Sequence, residues 1–156
     1  MEIGVLVNTD KDLLNIYVKD NGKGMTQQQA DAAQNPFFTT RTTRKVGLGI
    51  PLFKMAAEMT GGKLALTSQP NVGTLISADF GWTHIDRMPL GDLCGTLTVL
   101  IRMNPDVDFV YIERFNDREM TLDTRELREV LEGVSLSNPD VIAWIEEFYK
   151  ENSPLI

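Results

Sequence analysis

Three short segments carry residue types whose spacing could do chemistry. The first is Asp20-x-Gly22-x-Gly24 at the end of a β-branched run. A carboxylate on a strand end accepts a hydrogen bond from an exocyclic amine, and glycines let the backbone approach a flat ring. The second is Asn35-Pro36-Phe37-Phe38-Thr39-Thr40-Arg41, with Lys45 just beyond. Aromatics there could anchor a loop while the cations reach phosphate oxygens. The third, Gly47-Leu48-Gly49, runs into an apolar helix, where free backbone N–H groups and the helix dipole hold anions. Singly, each has an ordinary structural reading: Asp20 as a strand-ending turn, Gly-x-Gly as a helix start, Phe37 and Phe38 as core side chains.

The elements that must position these residues follow from hydrophobic period and breakers. Glu2 to Val7 and Leu13 to Lys19 read as strands around the turn 8–12, a hairpin. Thr26-Gln27-Gln28-Gln29 opens a short helix as a capping box. From Gln34 to Val46 no period survives, and a long irregular stretch in a compact domain is usually a lid or a link. A helix follows with Ile50, Leu52, Phe53, Ala56, Ala57 and Met59 partly burying both faces, ended by Gly61-Gly62. Lys63 to Ser68 and Thr74 to Phe80 are two more strands around the turn 70–73.

Beyond Gly81-Trp82 the pattern predicts a helix from Leu90 to Met103, with strands from Phe109 to Ile112 and Glu119 to Leu122 around Asn116-Asp117. A second capping box, Asp123-Thr124-Arg125-Glu126, opens a short helix to Leu131, and Asn138-Pro139-Asp140 starts the last helix. Val141, Trp144, Ile145 and Phe148 lie on the apolar face of that helix. The fold class is therefore α/β of the α+β kind. It is a two-layer sandwich of a mixed, mostly antiparallel sheet with helices on one face, plus a C-terminal α-β-β-α-α extension. The expected domains are 1–81 and 82–156.

The net charge of −7 argues against nucleic acid as partner. Residues 1–80 carry eight basic and seven acidic side chains, and residues 81–156 carry seven and fifteen, so the nets are +1 and −8. The first half suits an anionic ligand, and the second suits solvation or a basic partner. No apolar run is long enough for a bilayer and no secretory signal opens the chain, so the expected setting is cytoplasmic. The single cysteine, Cys94, reads as a small buried residue on a helix.

Together the three segments resemble the GHKL ATPases, the superfamily of DNA gyrase-type topoisomerases, heat-shock chaperones, histidine kinases and mismatch-repair ATPases. Asp20-Asn21-Gly22-Lys23-Gly24-Met25 resembles the G1 box, Pro36-Phe37-Phe38-Thr39-Thr40-Arg41 the F box, and Gly47-Leu48-Gly49-Ile50 the G2 box. Gly73-Thr74 resembles the adenine-side Gly-Thr, and the form of the F box is similar to that of histidine kinases. The resemblance implies ATP, with Mg²⁺, as cofactor. It implies that Asp20 receives the adenine amino group, with Gly22 and Gly24 shaping that wall and Thr74 supporting it. Gly47, Leu48 and Gly49 would offer N–H to phosphates, with Arg41 or Lys45 neutralising the terminal one, while Phe38 and its neighbour read equally as lid or core.

Two departures stand against the family pattern. No Glu-x-x-x-Asn helix precedes Asp20, so the N box that holds Mg²⁺ is expected to be absent, and Lys45 replaces the usual first glycine of the G2 box. The expectation is an ATP-binding protein without autonomous kinase activity, or alternatively a nucleotide-sensing or structural module, working with a protein partner or as a homodimer. His84, the only histidine, lacks a heptad-patterned helix and reads as a surface or junction residue. The acidic extension resembles the tail of stand-alone ATP-binding proteins whose genes accompany iron hydrogenases in anaerobic bacteria.

Overall fold

The computed structural model describes residues 1–35 and 47–156. Along them run β1 (Glu2–Asn8), β2 (Leu13–Asp20), α1 (Gln27–Ala33), α2 (Gly49–Glu58), β3 (Lys63–Gln69) and β4 (Gly73–Gly81). Then come α3 (Leu93–Met103), β5 (Val110–Phe115), β6 (Arg118–Asp123), α4 (Thr124–Leu131) and α5 (Pro139–Asn152). The fold is α+β on a six-stranded sheet. Packing divides the chain into two compact units, Val7–Met88 and Met1–Leu6 with Pro89–Ile156.

In the Val7–Met88 unit, β4 lies between β2 and β3, antiparallel to both. Because side chains alternate along a strand, the register sorts them into two faces. One face stacks Leu14 beside Phe80, then Ile16, Ala78 and Leu64, then Val18, Ile76 and Leu66. On the other face, the Asn15 amide donates to Ser77 Oγ at 2.9 Å and to Asp79 Oδ1 at 2.7 Å. Helix α2 covers β3 and β4, with Phe53 tilted against Phe80 at 5.6 Å between ring centroids. The Thr60 hydroxyl donates to Ala57 O and accepts from Gly81 N–H, tying the end of α2 to the end of β4.

Most boundaries in this unit match the reading from sequence. The Thr26 box forms in both directions: Thr26 Oγ1 accepts from Gln29 N–H and the Gln29 side chain accepts from Thr26 N–H. Helix α2 stops at Glu58, and Gly62 N–H donates back to Ala57 O at 3.0 Å. Its burial is one-sided, however. Ala57 is enclosed, whereas Leu52, Met55 and Met59 are each half exposed.

The unit formed by Met1–Leu6 and Pro89–Ile156 holds β1 beside the β5–β6 hairpin. Met1 O accepts from Val110 N–H at 2.9 Å. Helices α3 and α5 pack together, burying Leu97, Ile101, Val141 and Ile145. Helix α3 begins at Leu93, not at Leu90, because Gly91 takes φ +72° and Asp92 caps the helix by accepting from Gly95 N–H. The start of α4 is capped by Asp123 accepting from Arg125 N–H, with the Arg125 guanidinium closing on the same carboxylate. On α5, Tyr149 is buried and Trp144 is half exposed, stacked on Phe148 at 5.4 Å. Among the described residues no helix is long and apolar enough to cross a membrane.

The polar centre of this unit is Glu113 on β5, fully buried. Its carboxyl group accepts from the Tyr111 hydroxyl at 2.5 Å, from the Tyr149 hydroxyl, and from Ser153 Oγ at 2.5 Å. These bonds join β5 to α5 and to the residue that closes it. Burial, and then the Glu113 carboxyl, push the hydroxyls of Tyr111 and Tyr149 well above the ordinary tyrosine range. Unfolded tyrosines titrate near pH 10. The stability these two contribute is therefore complete below about pH 10 and is lost as pH rises beyond it toward their folded values. The urea midpoint should fall between about pH 9 and 11, and the fall should be shallower in Tyr111→Phe.

Candidate functional site

The apolar rows of the three-stranded face end in one polar row. Asp20 on β2 stands opposite Thr74 on β4, which stands opposite Ser68 on β3. Directly opposed antiparallel residues hold their Cβ atoms about 4.5–5.5 Å apart on the same face. The register thus brings Asp20 and Thr74, 54 positions apart in sequence, into one half-buried cluster.

The loop after β2 aims the carboxylate. Asp20 Oδ1 accepts from Gly22 N–H at 2.8 Å, and among the described residues no donor reaches Oδ2. A Cβ added at Gly22 would lie 2.9 Å from that same Oδ1, so a side chain there would push the carboxylate aside. Gly24 answers to the chain itself: it has φ +62°, and a Cβ on it would meet Gln69 O at 1.9 Å. The β3–β4 turn folds onto this loop, with Asn71 N–H donating to Lys23 O at 2.7 Å.

Ser68 links the pieces and was not among the candidates from sequence. Its Oγ accepts from Met25 N–H at 2.8 Å and lies 2.8 Å from Thr74 Oγ1 and 3.1 Å from Gly73 O. The signal was present in the parity of the strand: Ser68 shares the inward positions of Leu64 and Leu66. A polar residue there breaks the apolar pattern on the buried side.

The second part of the site is the start of α2. Gly47 and Leu48 precede the helix and Gly49 is its first residue. Leu48 occupies the cap position without a side-chain hydrogen bond, leaving the first N–H groups to another acceptor. Pro51 brings no N–H, so Gly49 and Ile50 supply the donors of the first turn. Among the described residues nothing lies within 4 Å of where a Gly49 Cβ would be. Phe38, Arg41 and Lys45 lie outside the described residues.

Other groups stand apart from this row. A pocket of about 360 Å³ is lined by Asp12, Thr60, Lys63 and Asp79, at the opposite ends of β2, β3 and β4. His84 sits in a turn, its Nδ1 accepting from Asp86 N–H at 3.1 Å. Cys94 is on α3 as expected but only half-buried, and burial followed by the charge of Glu146 raises its thiol pKa.

The site thus joins a carboxylate on a strand end, a Gly-Thr opposite it and a helix start without a side-chain cap, preceded by Gly47-Leu48. The chain belongs to the histidine kinase-, DNA gyrase B- and HSP90-like ATPase family, which it matches over residues 1–83. Among its relatives, a probable C4-dicarboxylate sensor kinase of Halalkalibacterium halodurans is 31% identical over 75 residues, 48% of this chain and 14% of the relative. Sensor histidine kinase YvrG of Bacillus subtilis is 31% identical over 83 residues, 51% of this chain and 14% of that protein. The C4-dicarboxylate transport sensor protein DctB of Pseudomonas aeruginosa is 30% identical over 73 residues, covering 46% and 12%. The chain thus spans about one seventh of the length of these relatives.

The two glycines of the loop should separate binding from folding. Gly24→Ala should cost about 1–3 kcal/mol of stability, because its φ is unfavourable and its Cβ meets backbone. Gly22→Ala should change stability by about 0.5 kcal/mol or less yet weaken ADP binding, through the displaced Asp20 carboxylate. Urea denaturation beside calorimetric titration with ADP checks both.

Proposed function

We propose that this chain binds an adenine nucleotide with the Val7–Met88 unit, Asp20 receiving the purine amino group and the start of α2 receiving phosphate. The observation that carries the reading is the row Asp20, Thr74, Ser68: a carboxylate with one oxygen engaged by Gly22 N–H and the other, among the described residues, left to accept. The chemistry of that row fits adenine, and the N–H groups of Gly49 and Ile50 fit a phosphate without needing a side-chain charge. Arg41 and Lys45 are the cations this reading assigns to the terminal phosphate.

ATP is the nucleotide the family uses, and the relatives named as sensor kinases support phosphoryl transfer as the process served. Mg²⁺ would supply charge neutralisation on the phosphates. His84 in its turn, bonded to its own neighbour, supports a chain that does not phosphorylate itself. The acidic balance of residues 81–156, net −8, favours a basic protein partner; a second copy and a cytoplasmic setting belong to the same reading but do not rest on that charge.

Calorimetric titration with ATP and ADP, each with and without Mg²⁺, tests the proposal; failure of both nucleotides to bind would end it. Asp20→Asn should weaken ADP about 10- to 100-fold, the worth of a hydrogen bond to a charged group. A variant that binds ADP as tightly as the parent removes Asp20 from the adenine role.

A further inference from the structure

Resting on the reading above of a basic protein partner, we propose where such a partner docks: the outer face of α5, centred on Trp144. The occupant is an arginine-bearing segment of that partner, one guanidinium stacking on the indole and its neighbours pairing with the carboxylates on either side.

The face follows from helical spacing. Asp140, Trp144, Glu147 and Glu151 recur at steps of four, three and four, and at about 100° per residue they fall within about 60° of one another around the helix. All four are exposed, while Val141, Ile145 and Tyr149 turn the other way into the core. Among the described residues none of these three carboxylates enters an ion pair. Lys150, the basic residue of the helix, stands about 90° away from the line.

Carboxylates are ordinary on a solvated helix face, but a tryptophan in their midst is not. Trp144 leaves 47% of its surface exposed even though Phe148, one turn on, stacks against it at 5.4 Å with the ring planes 20° apart. Phe148 thereby holds the indole in place before any partner arrives, which lowers the ordering cost of docking. The chain's other tryptophan displays the pairing in question: the Arg87 guanidinium lies 4.4 Å from the Trp82 ring centroid. Among the described residues no cation covers Trp144 in that way.

The geometry also selects the chemistry of the occupant. A planar guanidinium stacks on an indole and pairs with carboxylates at its edge, which a lysine ammonium does less well. From Asp140 to Glu151 the line runs about 16 Å along the axis, the length of about five extended residues. It therefore suits a segment with several cations rather than a single ion. The same negative charge turns away nucleic acid and anionic lipid, which leaves protein as the partner.

The probes are a blocked penta-arginine peptide and its penta-lysine counterpart, titrated calorimetrically into the full chain at about 0.15 M salt. The arginine peptide should bind the more tightly. Replacing Asp140→Asn, Glu147→Gln and Glu151→Gln together should weaken it about tenfold. Replacing Asp106→Asn, Glu129→Gln and Glu132→Gln together removes the same charge from other exposed positions and should weaken it less than about threefold. Trp144→Ala should weaken the arginine peptide about two- to fivefold and erase its advantage over lysine, whereas Trp144→Phe should keep part of that advantage. Should Trp144→Ala not fold, Trp144→Gln is read in the same way. Equal weakening by the two triple variants, or an arginine preference that survives loss of the indole, overturns the proposal while leaving the basic-partner reading intact. A parent chain that binds neither peptide overturns both.

Discussion

The antiparallel register of β2, β4 and β3 is the constraint on which the site depends. It sets Asp20 opposite Thr74 and Thr74 opposite Ser68, at the end of a face otherwise built from Leu14, Ile16, Val18, Ala78 and Leu66. A slip of one residue would turn every side chain of a strand to the other face. Lys19 or Leu75 would then occupy the row, and the apolar rows would meet solvent. Burial of the apolar face therefore enforces the alignment of the polar end, although the polar residues contribute little to stability themselves.

The two ends of the candidate nucleotide cradle use different physics. At the row, the groups on offer are side-chain oxygens held by their neighbours in a half-buried setting. At α2 they are backbone groups that the sequence leaves open: Leu48 cannot cap, Gly49 brings no side chain, and Pro51 withholds a donor without costing a helical bond. A serine or aspartate at position 48 would satisfy the helix from within and compete with any anion.

Much of this was legible in the sequence, and the rest was hidden for identifiable reasons. Strand ends, the Thr26 box and the Gly61-Gly62 stop are local signals, so they could be read directly. The inward parity of Ser68 was legible too, but its partners were not, because they depend on pairing across the turn at Asn71, φ +61°, and on the approach of Met25. The start of α3 was misplaced because Leu90 continues the apolar period, while Gly91 and Asp92 redirect the backbone before the helix begins. On α5, Trp144 and Tyr149 both satisfy helical spacing. Tyr149 is the one buried because its hydroxyl finds Glu113, a partner on a strand 36 residues earlier. Glu113 itself was invisible as a core residue, since a lone carboxylate in a strand ordinarily faces water.

One feature of the chain's path bears on how the molecule is made. The unit that holds β5 and β6 takes its first strand from Met1–Leu6, and Val110 N–H bonds to Met1 O across more than one hundred residues. A ribosome delivers β1 well before β5, at about 5–20 residues per second. The opening strand waits several seconds for its neighbour, while the residues from Val7 to Met88 have all emerged in the interval. Closure of so long a loop is slow, so the birth order of the chain makes the acidic unit form after Val7–Met88 and leaves the edge of β1 that faces β5 bare in the nascent polypeptide until it does.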